Sequence, residues 1–241
     1  MHSKGLMALG MVFVVSGAMV LGQSPDAEPV VAGSSMTVEA SYRQESVELM
    51  IIRELSREEN RDMKMKALEN IGTFIEKGDT EKARRTEAAL RADLKYMAFE
   101  GIINKTRKNG KVVNNYPDVR ATVAGYLGEL GGPESEEILI KMIKADYEPL
   151  VLIEVIKSLT KIGITEETLT SITKVISRFD LLDPNSLLAL AALEAYEKFA
   201  GPQHGTLDPA TIQLIRRISE GSYRRPVRER AKQILLNLSR F

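Results

Sequence analysis

Pro117-Asp118-Val119-Arg120-Ala121-Thr122-Val123-Ala124-Gly125-Tyr126-Leu127-Gly128-Glu129-Leu130-Gly131 decides the fold of this chain, because its pattern comes back along the sequence. Val119, Val123, Leu127 and Leu130 are spaced four, four and three residues apart, which puts them on one face of an α-helix. Pro117 suits the first helical turn, where its missing N–H costs nothing. Gly131-Gly132 supplies the left-handed residue that ends a helix. A second amphipathic segment follows at once, with Ile138, Leu139, Met142 and Ile143 as its stripe.

Working outward, a shift of 32 places Pro117 on Pro149, Leu127 on Leu159 and Gly131 on Gly163. A further shift of 37 places Leu159 on Tyr196 and Ile162 on Phe199. A shift of 108 from the first unit meets Val227-Arg228, Ala231, Leu235 and Leu238. A fainter copy lies 56 residues upstream, at Met63, Ala67, Ile71 and Phe74. Each helical hairpin has an apolar face that it cannot bury alone, so hairpins stack and the end copies, which cap the stack, are atypical.

The pattern, clearest at Pro117-Asp118-Val119-Arg120 through Gly131 and at Pro226-Val227-Arg228 through Leu238, resembles HEAT repeats of the short bacterial type named after phycobilisome lyases. The resemblance covers roughly residues 58–241. It implies an all-α, right-handed α-solenoid of HEAT-like helical hairpins, about 9–10 helices in all, and hydrogen bonds from residues such as Asp118 and Arg120 between adjacent repeats. It does not imply lyase activity, since the chain shows no pigment-binding motif, and members of the family bind very different partners.

The expected helices run 44–58, 61–77 and 79–103, then in pairs 117–130/134–145, 148–162/165–179 and 185–200/208–220, with a last helix at 225–239. Val47, Met50, Ile51 and Leu55 form the expected inward stripe of the first. Residues 44–241 are thus one solenoid. Ahead of it, His2 and Lys4 precede an apolar run from Leu6 to Leu21, with small-residue spacing before Gln23. Residues 1–22 are expected to be a signal peptide and 23–43, with Pro25, Pro29 and Gly33, a disordered linker. The run is short and Gly-rich, which argues against a permanent span; the alternative is an uncleaved anchor. With no Cys in the chain, there is no lipid-attachment site. The expected location is periplasmic or secreted, in a bacterium.

Formal net charge is zero, so the chain as a whole is no polyanion binder, and nucleic acid is not an expected partner. The charge is unevenly placed. Residues 23–60 hold eight acidic side chains against three Arg, and residues 211–241 hold eight basic against two Glu. One break interrupts the rhythm. Residues 104–116 are too long for a repeat turn, contain the hairpin-forming pair Asn109-Gly110, and carry Lys105, Arg107, Lys108 and Lys111 with no acid. Insertions in solenoids project from one edge. These four residues, with Arg224 and Arg225, are the candidate partner-binding residues.

Catalytic and metal chemistry finds little support. The chain has no Cys, and apart from His2 its one histidine is His204, in the loop Gly201-Pro202-Gln203-His204-Gly205. Neither HExxH nor a phosphate-binding glycine loop is present. Glu58-Glu59 and Glu136-Glu137 are adjacent pairs, and neighbours on a helix point apart. No cofactor, metal or catalytic residue is expected. The sequence reads as a non-enzymatic protein-interaction scaffold of the cell envelope that recognises a protein through its concave face. The alternatives are an accessory subunit or enzyme acting on an envelope substrate, and a self-assembling structural element.

Overall fold

The structure, a computed structural model, describes residues 38–77, 82–200 and 206–239. The expected signal peptide at 1–22, the linker up to residue 37, and His204 lie outside the described residues. Among the described residues there are ten helices: α1 Val38–Arg57, α2 Arg61–Lys77, α3 Lys82–Ala98, α4 Pro117–Leu130, α5 Gly132–Ala145, α6 Pro149–Ile162, α7 Glu166–Leu182, α8 Ser186–Phe199, α9 Pro209–Glu220 and α10 Arg225–Leu238. A two-stranded hairpin, β1 Arg107–Lys108 and β2 Lys111–Val112, interrupts them. The fold is an all-α solenoid of HEAT-like hairpins.

The helix starts follow from local chemistry. Pro117, Pro149, Pro209 and Pro226 each occupy the first turn of their helix. Asn185 accepts from Leu187 N and Leu188 N, and Asp208 from Ala210 N and Thr211 N, which satisfies donors that a helix start leaves open. Gly131 ends α4 with φ 62°.

Helices α2, α4, α6, α8 and α10 stack in one row, and α1, α3, α5, α7 and α9 in the other. Neighbours within a row run parallel. Lys198, one residue before the end of α8, donates to the carbonyl of Thr160 near the end of α6, and Gly128 late in α4 faces Ser158 late in α6. A Cβ at Gly128 would fall 2.6 Å from Ser158 Oγ and 3.0 Å from Ser158 Cα, so these two helices approach almost backbone to backbone. The recurring apolar positions form the core: Val119, Val123, Leu127, Val151, Val155, Leu159, Tyr196 and Ala231 are sealed from solvent. Leu130, Leu235 and Leu238 pack against that core while keeping some exposure.

Polar groups tie adjacent repeats. Arg120 is 1% exposed and Asp146 is fully buried. Arg120 Nε donates to Asp146 Oδ2 at 2.6 Å and Nη2 to Oδ1 at 3.3 Å, while Nη1 reaches Asn115 Oδ1 at 2.7 Å and Glu100 O at 3.3 Å. Asp146 Oδ1 also accepts from Tyr147 N and Glu148 N, so the carboxylate fixes the turn that leads into α6. Asp118 faces the other way. Its Oδ2 accepts from Arg61 Nε at 2.7 Å, at the start of α2. Burial would raise the Asp118 carboxyl, but the hydrogen bonds from Arg61 and the Val119 amide outweigh it and hold the group below its ordinary value. The expected inter-repeat role of Asp118 and Arg120 is therefore the observed one. Farther along, Thr173 joins Thr211 at 2.9 Å and donates to Tyr196 Oη at 3.2 Å, linking α7, α8 and α9.

Four expectations change at the N-terminal end. Helix α1 starts at Val38, so residues 38–43 are helical rather than part of the linker; no Gly or Pro interrupts 36–60. Its inward residues are Ile52 and Ser56 with Leu49 beside them, and Val47, Met50 and Ile51 face outward. Met63 is 44% exposed, and the neighbouring Lys64 is buried instead. Lys64 Nζ sits 2.6 Å from Glu100 Oε2 and donates to Ser56 O at 2.8 Å, which is what lets a cation go inward. Finally α3 stops at Ala98, short of Ile103. Gly101 has φ 74°, and its backbone lies so close to Asn114 and Asn115 that a Cβ would fall 2.5 Å from Asn115 Cα. The chain must turn there to close the insert.

Candidate interaction surface

Because rows run parallel, every connection from a second helix to the next first helix falls on one edge of the stack. The insert occupies the α3–α4 connection. Arg107 pairs with Val112 and Lys108 with Lys111, and Asn109 (φ 52°) and Gly110 (φ 78°) form the tight turn. Asn114, 3% exposed, closes the base: it accepts from Thr106 N at 2.9 Å and donates to Asn104 O at 2.8 Å. Tyr116 Oη donates to Glu59 O at 2.8 Å and Lys108 Nζ lies 2.5 Å from Glu59 Oε2. The hairpin is pinned against the α1–α2 turn rather than standing free of the body.

That anchoring sorts the basic residues. Lys108 is held by Glu59, and this hydrogen bond raises its ammonium above the ordinary lysine value. The Arg107 guanidinium donates to Gly110 O at 2.9 Å and lies along the turn. Lys105 and Lys111 point into solvent. At the far end of the same edge, Arg224 and Arg225 open α10, with Arg224 N bonded to Ser186 Oγ at 3.2 Å. The structure places the two basic groups at opposite ends of one edge and does not bring them together.

Between them lies a feature that sequence reasoning missed. The α5–α6 connection and the start of α6 expose Tyr147 (66%) and Leu150 (56%). The end of α7 exposes Leu181 (77%) and Leu182 (79%), and the first turn of α8 exposes Leu187. Arg178 joins these connections. Its guanidinium stacks 4.3 Å from the Tyr147 ring and donates to Asp146 O at 3.4 Å. Isolated exposed Leu residues are ordinary, whereas several on neighbouring connections of one edge, linked through Arg178, mark a candidate interaction surface. A hint was available: none of these five sits in the repeat's core pattern, so nothing in the stack requires them to be large and apolar.

Three carboxylates of the adjacent Glu pairs make structural contacts. Glu59 pairs with Lys108, Glu137 with Lys141, and Glu136 Oε1 accepts from the hydroxyls of Thr165 and Thr168. Glu136 and Glu137 thus turn to different partners. Among the described residues, no group of three or more His, Cys, Asp or Glu could hold a metal ion, and no helix is long and apolar enough to cross a membrane.

Comparison with curated proteins and with solved structures returned no match. A family model described as HEAT repeats matches residues 112–197, from the second strand of the insert through α8. The matched span carries the Arg120–Asp146 tie, the Gly128–Ser158 approach and the apolar strip, and α9–α10 extend the same two-row packing beyond it. Residues 112–197 match HEAT repeats, and the described residues on either side continue the same HEAT-like solenoid.

Proposed function

We propose that the protein is a non-enzymatic scaffold that holds a protein partner along the edge formed by its inter-repeat connections, in the bacterial cell envelope. HEAT repeats generally mediate protein–protein interaction, and the observation that carries the choice of surface is the order of chemistry along this edge. Exposed lysines lie at one end, exposed arginines at the other, and Tyr147, Leu150, Leu181, Leu182 and Leu187 between. A partner that fits presents apolar side chains flanked by carboxylates. The apolar strip supplies contact area, and the flanking cations steer the encounter and set orientation. The envelope location rests on the charged start, the apolar run to Leu21 and the absence of Cys. The test compares two baits in an envelope extract: the wild-type chain and a Leu181→Asp/Leu182→Asp variant. Recovery of a protein by the first and its loss from the second supports the reading. Equal recovery by both contradicts it.

A further inference from the structure

The two ends of the solenoid are not equivalent, and their difference has a chemical direction. Each internal helix row buries both flanks, whereas a terminal helix buries one. On α1, Val47 (48%), Met50 (57%) and Ile51 (46%) are exposed, and with Glu54 they follow one helical stripe at spacings of three, one and three, with Glu58 exposed just past the helix end. The basic residues of this part of α1 do not join that stripe. Arg53 and Arg57 turn to the buried Asp93 of α3, at 3.9 and 3.5 Å, so the outer face keeps its carboxylates uncancelled. Beside the stripe, a groove between α1 and α2 is lined by Ile51, Ile52, Asn70, Thr73 and Phe74, with Glu48 at its rim.

At the other end the chemistry is opposite. The outer side of α10 exposes Arg225, Lys232 and Leu236, with Arg228 half-exposed and Arg216 of α9 nearby in the stack. The acids at this end are Glu220 and Glu229, and Glu229 lies 3.4 Å from Lys232. Leu236 is 56% exposed and stands alone on a basic helix, a single apolar knob.

We propose that these ends fit each other on two copies of the chain: α10 of one copy packs on α1 of the next, with Leu236 seated against the Ile51–Phe74 groove and Arg225 and Lys232 facing Glu54 and Glu58. Within the chain an even-numbered helix also touches the odd-numbered helix that follows it, as α2 touches α3 and α4 touches α5, and α10 on α1 of the next copy repeats that contact. It joins two different surfaces, so it is heterologous, and stacking by translation does not close on itself. The surface shares Arg225 with the edge that carries the proposed partner but none of that edge's apolar residues, and the variants of the two tests do not overlap, so either assignment can fail alone.

The experiment follows mass against concentration by analytical ultracentrifugation of the full chain. Two variants remove one apolar element each: Met50→Gln/Ile51→Gln on the α1 face and Leu236→Gln on α10. Wild type should grow beyond a dimer as concentration rises, and growth should weaken as salt is raised, because exposed charge pairs are screened. Each variant alone should stay a monomer. An equal mixture should form a 1:1 dimer that grows no further, because each variant retains the face the other has lost. That recovery also shows that both variants are folded. Wild type that stays monomeric, either variant still self-associating, or a mixture that stays monomeric overturns the proposal. Association through residues 1–37 would persist in every sample and would overturn it too.

Discussion

Replacing Arg120 by Met removes the tie between the first matched repeat and the second, and the structure sets the size of the effect. Asp146 is fully buried, and its carboxylate is held by the two Arg120 contacts at 2.6 and 3.3 Å and by the amides of Tyr147 and Glu148. Met fills much of the Arg volume but brings no charge, so an anion is left buried without its cation. Removing one partner of such a pair costs about 3–5 kcal/mol. For a chain of this size each 1 kcal/mol corresponds to about 2–4 °C in Tm, so the expected loss is about 6–20 °C. The assay is thermal and urea unfolding followed by circular dichroism, on Arg120→Met, Asp146→Asn and the double variant. Asn keeps an oxygen for the two amides, so the double variant removes the pair without abolishing the turn. Its cost should fall below the sum of the single costs by 1 kcal/mol or more, an estimate typical of contacting pairs. An Arg120→Met protein within about 0.5 kcal/mol of wild type, the range of ordinary surface substitutions, or strictly additive costs, would refute the claim that this pair fastens the repeats.

Other consequences are smaller in scope. Leu127→Ala, at a position sealed from solvent, should destabilise by about 2–5 kcal/mol in the same assay. Gly125→Ala and Gly128→Ala, one turn apart in α4, should differ in sign. The first meets open space and should gain up to about 1 kcal/mol of helix propensity, while the second drives a Cβ into Ser158 and should lose about 1–3 kcal/mol to overpacking, less that gain. Burial would raise the Asp208 carboxyl, but the Thr211 hydroxyl and the Thr211 and Ala210 amides outweigh it and hold it below its ordinary value. Its contribution is therefore full above the unfolded value of about 3.9 and fades as pH falls through the folded one. Asp208→Ala should cost about 0.5–2 kcal/mol at pH 7, and urea titrations at pH 7 and pH 2.5 should show that gap narrowing.

The helices of the stack were legible because a repeated core position is a local signal: Val119, Val123 and Leu127 announce their helix, and Pro117 and Gly131 its ends. What was not legible depends on partners far away in sequence. Val47-Met50-Ile51 and Leu49-Ile52 are both apolar sets on one helix, and only packing against α2 and α3 decides that the second faces inward. The repeat pattern put Met63 in the core, yet Lys64 goes inward instead, because Glu100, thirty-six residues on, makes its burial possible. The basic insert was recognisable from composition and Asn109-Gly110. Its docking on Glu59 was not, nor was the apolar strip, because that strip exists only where two separate connections line up on one edge.

The central claim is that a protein partner lies along that edge. The most direct measurement is amide hydrogen exchange of the chain with and without the partner recovered by the wild-type bait. Protection should concentrate at residues 103–116, 146–150, 181–188 and 223–226, with the helix interiors unchanged. Protection spread over the exposed faces of α5 and α7, with these connections exchanging as before, would contradict the account.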